Sequence, residues 1–158
     1  MARTVDFTGV GDFTPAPIGT YTMVGKEFKW RDNADGSGEH CAFQWSIEDE
    51  MAADGTTKVA GKVLFVTYSP KQNALWKLRQ DALAAGLDET LFDGPADLDI
   101  IIPALVGRRV LMEIGISEYE DKKGNTRFRN EWIDTMPASS NEDSEAAEAL
   151  SSGAGRRR

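Results

Sequence analysis

Gly61–Gly86, GKVLFVTYSPKQNALWKLRQDALAAG, is where the sequence changes its period. A β-branched and aromatic run through Val66 and Tyr68 reads as a strand and stops at Ser69-Pro70. From there Leu75, Leu78 and Ala82 recur on one stripe at helical spacing. Ser69 suits an N-cap. Pro70 suits the first helical position, where its missing N–H has no partner to lose, and Gly86 suits the left-handed residue that ends a helix. The stretch predicts a strand handing over to one helix that stands alone among strands.

Upstream, Gly19–Arg31 (GTYTMVGKEFKWR) predicts a first strand. Val24, Lys26, Phe28 and Trp30 lie on one side and Met23, Glu27, Lys29 and Arg31 on the other; the alternation is imperfect, and Gly25 marks a bend. Asp32–Gly38, DNADGSG, is a turn, lacking the alternating acids and distal acid of a calcium-binding loop. Glu39–Asp49 alternates cleanly, with Cys41, Phe43, Trp45 and Ile47 as the core face. Cys41 therefore reads as a buried small apolar residue, not a nucleophile, and His40 as a surface residue. After the polar turn Glu50–Lys58, Val59–Tyr68 is the third strand. It sets Val63 and Phe65 against Lys62, Leu64, Val66 and Tyr68, both sides partly apolar as in a closed sheet.

Downstream of the helix, Leu87–Val106 predicts an ordered connection that buries Ile100–Ile102, with Pro103 opposing a continuous element. Trp76 lies one position off the helical stripe, as a rim residue does. Arg108–Tyr119 is the clearest strand, with Val110, Met112, Ile114 and Ile116 on one face. The turn Asp121–Asn125 joins it to a fifth strand, Thr126–Met136, in which Phe128, Asn130 and Trp132 oppose Arg127, Arg129, Glu131 and Ile133. The order β-β-β-α-β-β is that of an OB-type barrel. The expected architecture is mainly β: a five-stranded OB-type Greek-key barrel with one α-helix between strands three and four. Residues 1–18 form an extended arm whose phenylalanines can dock on the barrel, and 19–137 form the domain. Residues 138–158 form a disordered tail, acidic at Glu142, Asp143, Glu145 and Glu148 and closing on Arg156–Arg158, with at most a nascent helix over Glu142–Leu150.

At 158 residues, 41% hydrophobic and 28% charged, the chain suffices for one core. It has no apolar run near the roughly 20 residues that span a bilayer, and no signal-peptide pattern opens it, so a soluble intracellular protein is expected. One cysteine and one histidine exclude a disulfide framework and a Cys/His metal cluster. No phosphate-binding loop or Ser-His-Asp set is present, and paired acids such as Asp97/Asp99 and Glu118/Glu120 suit solvated loops and strand ends. Neither an enzyme nor a cofactor is expected.

A net charge of −8 argues against nucleic acid unless the cations are segregated. They are clustered: Lys26, Lys29, Trp30 and Arg31 sit at the end of strand one, and Tyr119, Lys122, Lys123, Arg127, Phe128 and Arg129 on the last hairpin. Single strands are held by bases stacked on rings while cations track the phosphates. In an OB barrel the loops joining strands one to two and four to five flank one groove, so the two clusters are expected to meet at one mouth. The competing reading is that Phe28, Trp30 and Trp132 fill the core and the lysines protect edges.

With the strands placed, Gly19-Thr20-Tyr21, Ala84-Ala85-Gly86-Leu87, Leu105-Val106-Gly107, Val110–Ile116, Lys122–Asn125 and Arg127–Asn130 together resemble a family of phage-encoded OB-fold single-stranded-DNA-binding proteins. The resemblance covers about residues 17–137. It implies a non-catalytic replication or recombination accessory that coats single-stranded DNA in the cytoplasm of an infected host cell. It also implies that the tail, Asn141–Glu148, recruits replication or recombination proteins, although the Arg156–Arg158 ending departs from the usual acidic terminus. Homo-oligomerisation is left open. The alternative function is a protein-interaction or virion structural module on the same barrel.

Overall fold

Five strands form one antiparallel sheet in the spatial order β3-β2-β1-β4-β5. They are β1 (Gly19–Asp32), β2 (Glu39–Ile47), β3 (Val63–Tyr68), β4 (Arg109–Glu120) and β5 (Thr126–Pro137). The structure, a computed structural model, describes residues 14–138. Between β3 and β4 lie two helices, α1 (Leu75–Ala84) and the short α2 (Leu98–Ala104), where the sequence predicted one. Pro103 fits in α2 because so short a helix forgoes a single bond at the proline. Asp97 caps it by accepting a hydrogen bond from the Asp99 N–H at 2.9 Å. Ile101 and Ile102 are buried as expected, whereas Ile100 faces solvent.

The Tyr68-to-helix junction differs from its reading in one respect. Ser69 does not cap α1; its Oγ accepts from the Lys71 N–H at 3.2 Å, a local turn, and a 3₁₀ turn over Gln72–Ala74 precedes the helix. The other end is as written. Gly86 has φ +90°, its N–H donates to the Leu83 carbonyl, and the Leu87 N–H donates to the Ala82 carbonyl, the paired bonds of a Schellman stop.

The core lies on one face of the sheet. Cys41, Phe43, Trp45 and Ile47 of β2 meet Tyr21 and Met23 of β1, Leu64, Val66 and Tyr68 of β3, and Val110, Met112 and Ile114 of β4. Burial pushes the Cys41 thiol up to about 11, so it stays protonated and inert.

Two register shifts explain the imperfect alternation of β1 and β5. In β1 the pairing moves from Gly25↔Trp45 to Glu27↔Gln44, so the inward set passes from Met23 to Phe28 and Trp30. Gly25 is required at this point. A Cβ there would lie 2.2 Å from the Leu105 carbonyl oxygen, and the Gly25 backbone also bonds Gly107 and Arg108. In β5, Glu113↔Asp134 is followed by Ile114↔Trp132, leaving Ile133 as the extra residue and restoring Thr135 to the core.

The last residues of the predicted arm are part of the domain. Ala16 is buried, and its N–H and carbonyl bond the Asn130 side chain at 2.8 Å each. The arm's earlier phenylalanines (within 1–13), the nascent helix over Glu142–Leu150 and the acidic and arginine-rich tail (139–158) lie outside the described residues.

Candidate nucleic-acid interface

Each predicted site residue falls on a strand whose register fixes its face. On β4 and β5 the pairs Tyr119↔Arg127 and Ser117↔Arg129 point away from the core. Tyr119 is 40% exposed, and the Arg129 guanidinium lies 5.0 Å from its ring centre. Arg127 Nε donates to Asp121 Oδ2 at 2.9 Å, which holds the Asp121 carboxyl below its ordinary range. The Asp121 carboxylate also accepts from the Lys123 and Asn125 N–H groups at 2.9 Å each, so one acid shapes the turn that presents Lys122 and Lys123.

Phe128 is on the other face. It pairs with Glu118, and Thr126 with Glu120, so this face carries acids while the Tyr119 face carries Arg127 and Arg129. Toward its tip the hairpin is thus two-faced, basic on the Tyr119 side and acidic on the Phe128 side, whereas nearer the middle of the sheet Glu131 and Glu113 put acids on the outward face as well. At the tip phosphates are favoured by the Tyr119 side and repelled by the Phe128 side.

The first-strand cluster divides in the same way. Lys29 pairs with Ala42 and Arg31 with His40, both outward, whereas Trp30 pairs with Cys41 on the core face and is half-buried against the core. Lys26 is exposed at the bulge. Alternation sets Trp30 on the face opposite Lys29 and Arg31, and the register shift after Gly25 makes that face the inner one, so Trp30 does not stand beside them as a stacking platform.

Nor do the two turns share one end of the sheet. β1 is antiparallel to β4, with Gly19↔Ile114 and Val24↔Arg109. The turn after Asp32 therefore leaves beyond the C-terminal end of β1, and the turn after Glu120 beyond its N-terminal end. What the clusters have in common is the outward face of a continuous sheet.

No family model matches the chain, and no curated protein matches it.

One ring was missed in the sequence. Phe65 of β3 is 66% exposed and pairs with Gln44, next to the row Thr67↔Ala42↔Lys29. Its place opposite Leu64 and Val66 was legible, but the reading of β3 as apolar on both faces assigned it to packing. Close by, His40 Nδ1 lies 2.7 Å from Asn33 Oδ1, and the Lys71 amine 3.2 Å from Ser37 Oγ, tying the first turn to the end of β3. Among the described residues no group of three His, Cys, Asp or Glu side chains is placed to hold a metal ion.

Proposed function

We propose that the protein is a non-catalytic binder of single-stranded DNA that serves phage DNA replication or recombination, its five strands closing as an OB-type Greek-key barrel. The closure is supported by the approach of β3 to β5, whose Cα atoms come within 8 Å although no ladder joins them. The observation that carries the function is the segregated hairpin. Tyr119 is exposed beside Arg129, with Arg127 on the same face and Lys122 and Lys123 at the tip, in a chain of net charge −8.

In this reading Tyr119 and Phe65 stack bases, and Lys29, Arg31, Lys122, Lys123 and Arg129 follow the phosphates along the outward face. A flexible unpaired strand can expose its bases to both rings, whereas in duplex the bases are stacked on one another and paired. The test is a fluorescence titration with oligo-dT and with duplex DNA at two salt concentrations. Binding to oligo-dT that weakens with salt at about 0.7 log units per neutralised phosphate for each log unit of salt supports the proposal. Absence of binding at low salt, or equal affinity for duplex, rejects it.

A further inference from the structure

On the helical side of the molecule lies a cleft of about 750 Å³ between α1 and the connection leading to α2, walled by Leu75, Trp76, Leu78, Phe92 and Ile101. A second depression of about 390 Å³, lined by Gln80, Leu83, Thr135 and Pro137, adjoins it, since Trp76 and Arg79 line both. Trp76 is 57% exposed, a large apolar area to leave in water. Arg79 is exposed on the same ridge and bonds no acid among the described residues.

We propose that this double cleft is the docking site of the chain's own segment 139–158. Position is the first argument. β5 ends at Pro137, which lines the second depression, and Ala138 is buried, so the described chain ends at the cleft's rim. Reach is the second: at about 3.3 Å per extended residue the segment can cross both depressions. Charge order is the third. The segment first presents Glu142, Asp143, Glu145 and Glu148, next Ala149 and Leu150, and last Arg156–Arg158. The cleft presents Arg79 near the start, and on the connection that walls it the exposed Asp93, Asp97 and Asp99 alternate with the lining residues Phe92, Gly94, Ala96 and Leu98, with no cation from 88 to 99. The acids thus meet Arg79, Leu150 meets the apolar wall, and the arginines meet the acidic bank. That bank repels phosphate, which separates this surface from the one proposed for DNA.

The test uses the full chain with Ser144→Cys carrying a nitroxide; Cys41 is fully buried and escapes labelling. The expected result is selective loss of the Trp76 indole N–H signal by paramagnetic broadening, independent of protein concentration and reversed by Arg79→Glu. No broadening of Trp76, or broadening that fades on dilution and so comes from a second copy, would overturn the proposal. DNA affinity is measured separately, and its failure leaves this result untouched.

Discussion

Arg129 lies across the strand pair from Ser117 and turns its guanidinium to within 5.0 Å of the Tyr119 ring centre, while its neighbour Phe128 points to the opposite face of the hairpin. The tip of this ribbon therefore shows two surfaces of opposite charge. The contrast gives the first prediction. Tyr119→Ala should weaken oligo-dT binding by about 1–3 kcal/mol, the usual contribution of one stacked base, which is about 5- to 150-fold in Kd. Phe128→Ala should change it less than about twofold, since Glu118 and Glu120 flank that ring. Equal losses in both variants would mean that binding does not follow the charge segregation.

Gly25 supplies a prediction about the fold. Any side chain there collides with the Leu105 carbonyl, so Gly25→Ala should cost about 1–3 kcal/mol, at the upper end because backbone is in the way. Urea unfolding reads this as a lower midpoint at unchanged slope. An unaffected midpoint would show that β1 and the Leu105–Arg108 segment are not tightly joined.

A buried polar chain ties α1 to the sheet. Trp45 Nε1 donates to the Tyr68 hydroxyl at 3.1 Å, and Tyr68 donates to Asp81 Oδ2 at 2.5 Å. The Lys77 amine lies 2.7 Å from the same oxygen and 3.5 Å from the Trp132 ring centre. Asp81 Oδ1 has no hydrogen-bond partner among the described residues. Lys77→Met alone strands the carboxylate and should cost about 3–5 kcal/mol, whereas adding Asp81→Asn, which keeps an acceptor for Tyr68, should recover most of the loss. Urea midpoints of the single and double variants decide it. A harmless Lys77→Met would refute the pairing.

The same network sets a pH dependence. Burial draws the Lys77 amine down to about 8, even with Asp81 beside it, and burial with the Asp81 charge raises the Tyr68 hydroxyl well above its ordinary value. From about pH 8 to the ordinary lysine value near 10.4, the unfolded chain holds a proton that the folded one has released, so stability rises with pH. From about 9 the unfolded Cys41 thiol ionises while the buried one stays protonated up to about 11, which offsets the Lys77 contribution, and above about 10 the unfolded tyrosine ionises while Tyr68 stays protonated, so the trend reverses. Thermal midpoints measured from pH 7 to 11 should rise from about pH 8, level off near 9 and fall above about 10, and Lys77→Met should abolish the rise.

Strand placement was legible because period-two runs such as Cys41, Phe43, Trp45 and Ile47 leave one solution for a half-buried strand. The helix stop at Gly86 was legible for a local reason, the positive φ that glycine tolerates. Trp30 was misplaced because a bulge adds one residue without disturbing the composition, and every side chain beyond it changes face. The directions in which the two basic turns leave the sheet follow from the antiparallel β1–β4 pair, which the order of the strands along the sequence does not spell out. Phe65 escaped notice since exposure of one ring on an apolar strand depends on what covers it, and nothing in β3 itself tells that.

The most direct measurement is photocrosslinking of the protein to a single-stranded oligonucleotide carrying 5-iodouracil, with the attached residues identified by mass spectrometry. Crosslinks at Tyr119 and Phe65, competed by unlabelled oligo-dT and lost as salt rises, are expected of a strand lying on the outward sheet face. Crosslinks confined to Phe128 or Trp76, or none at low salt, would contradict it.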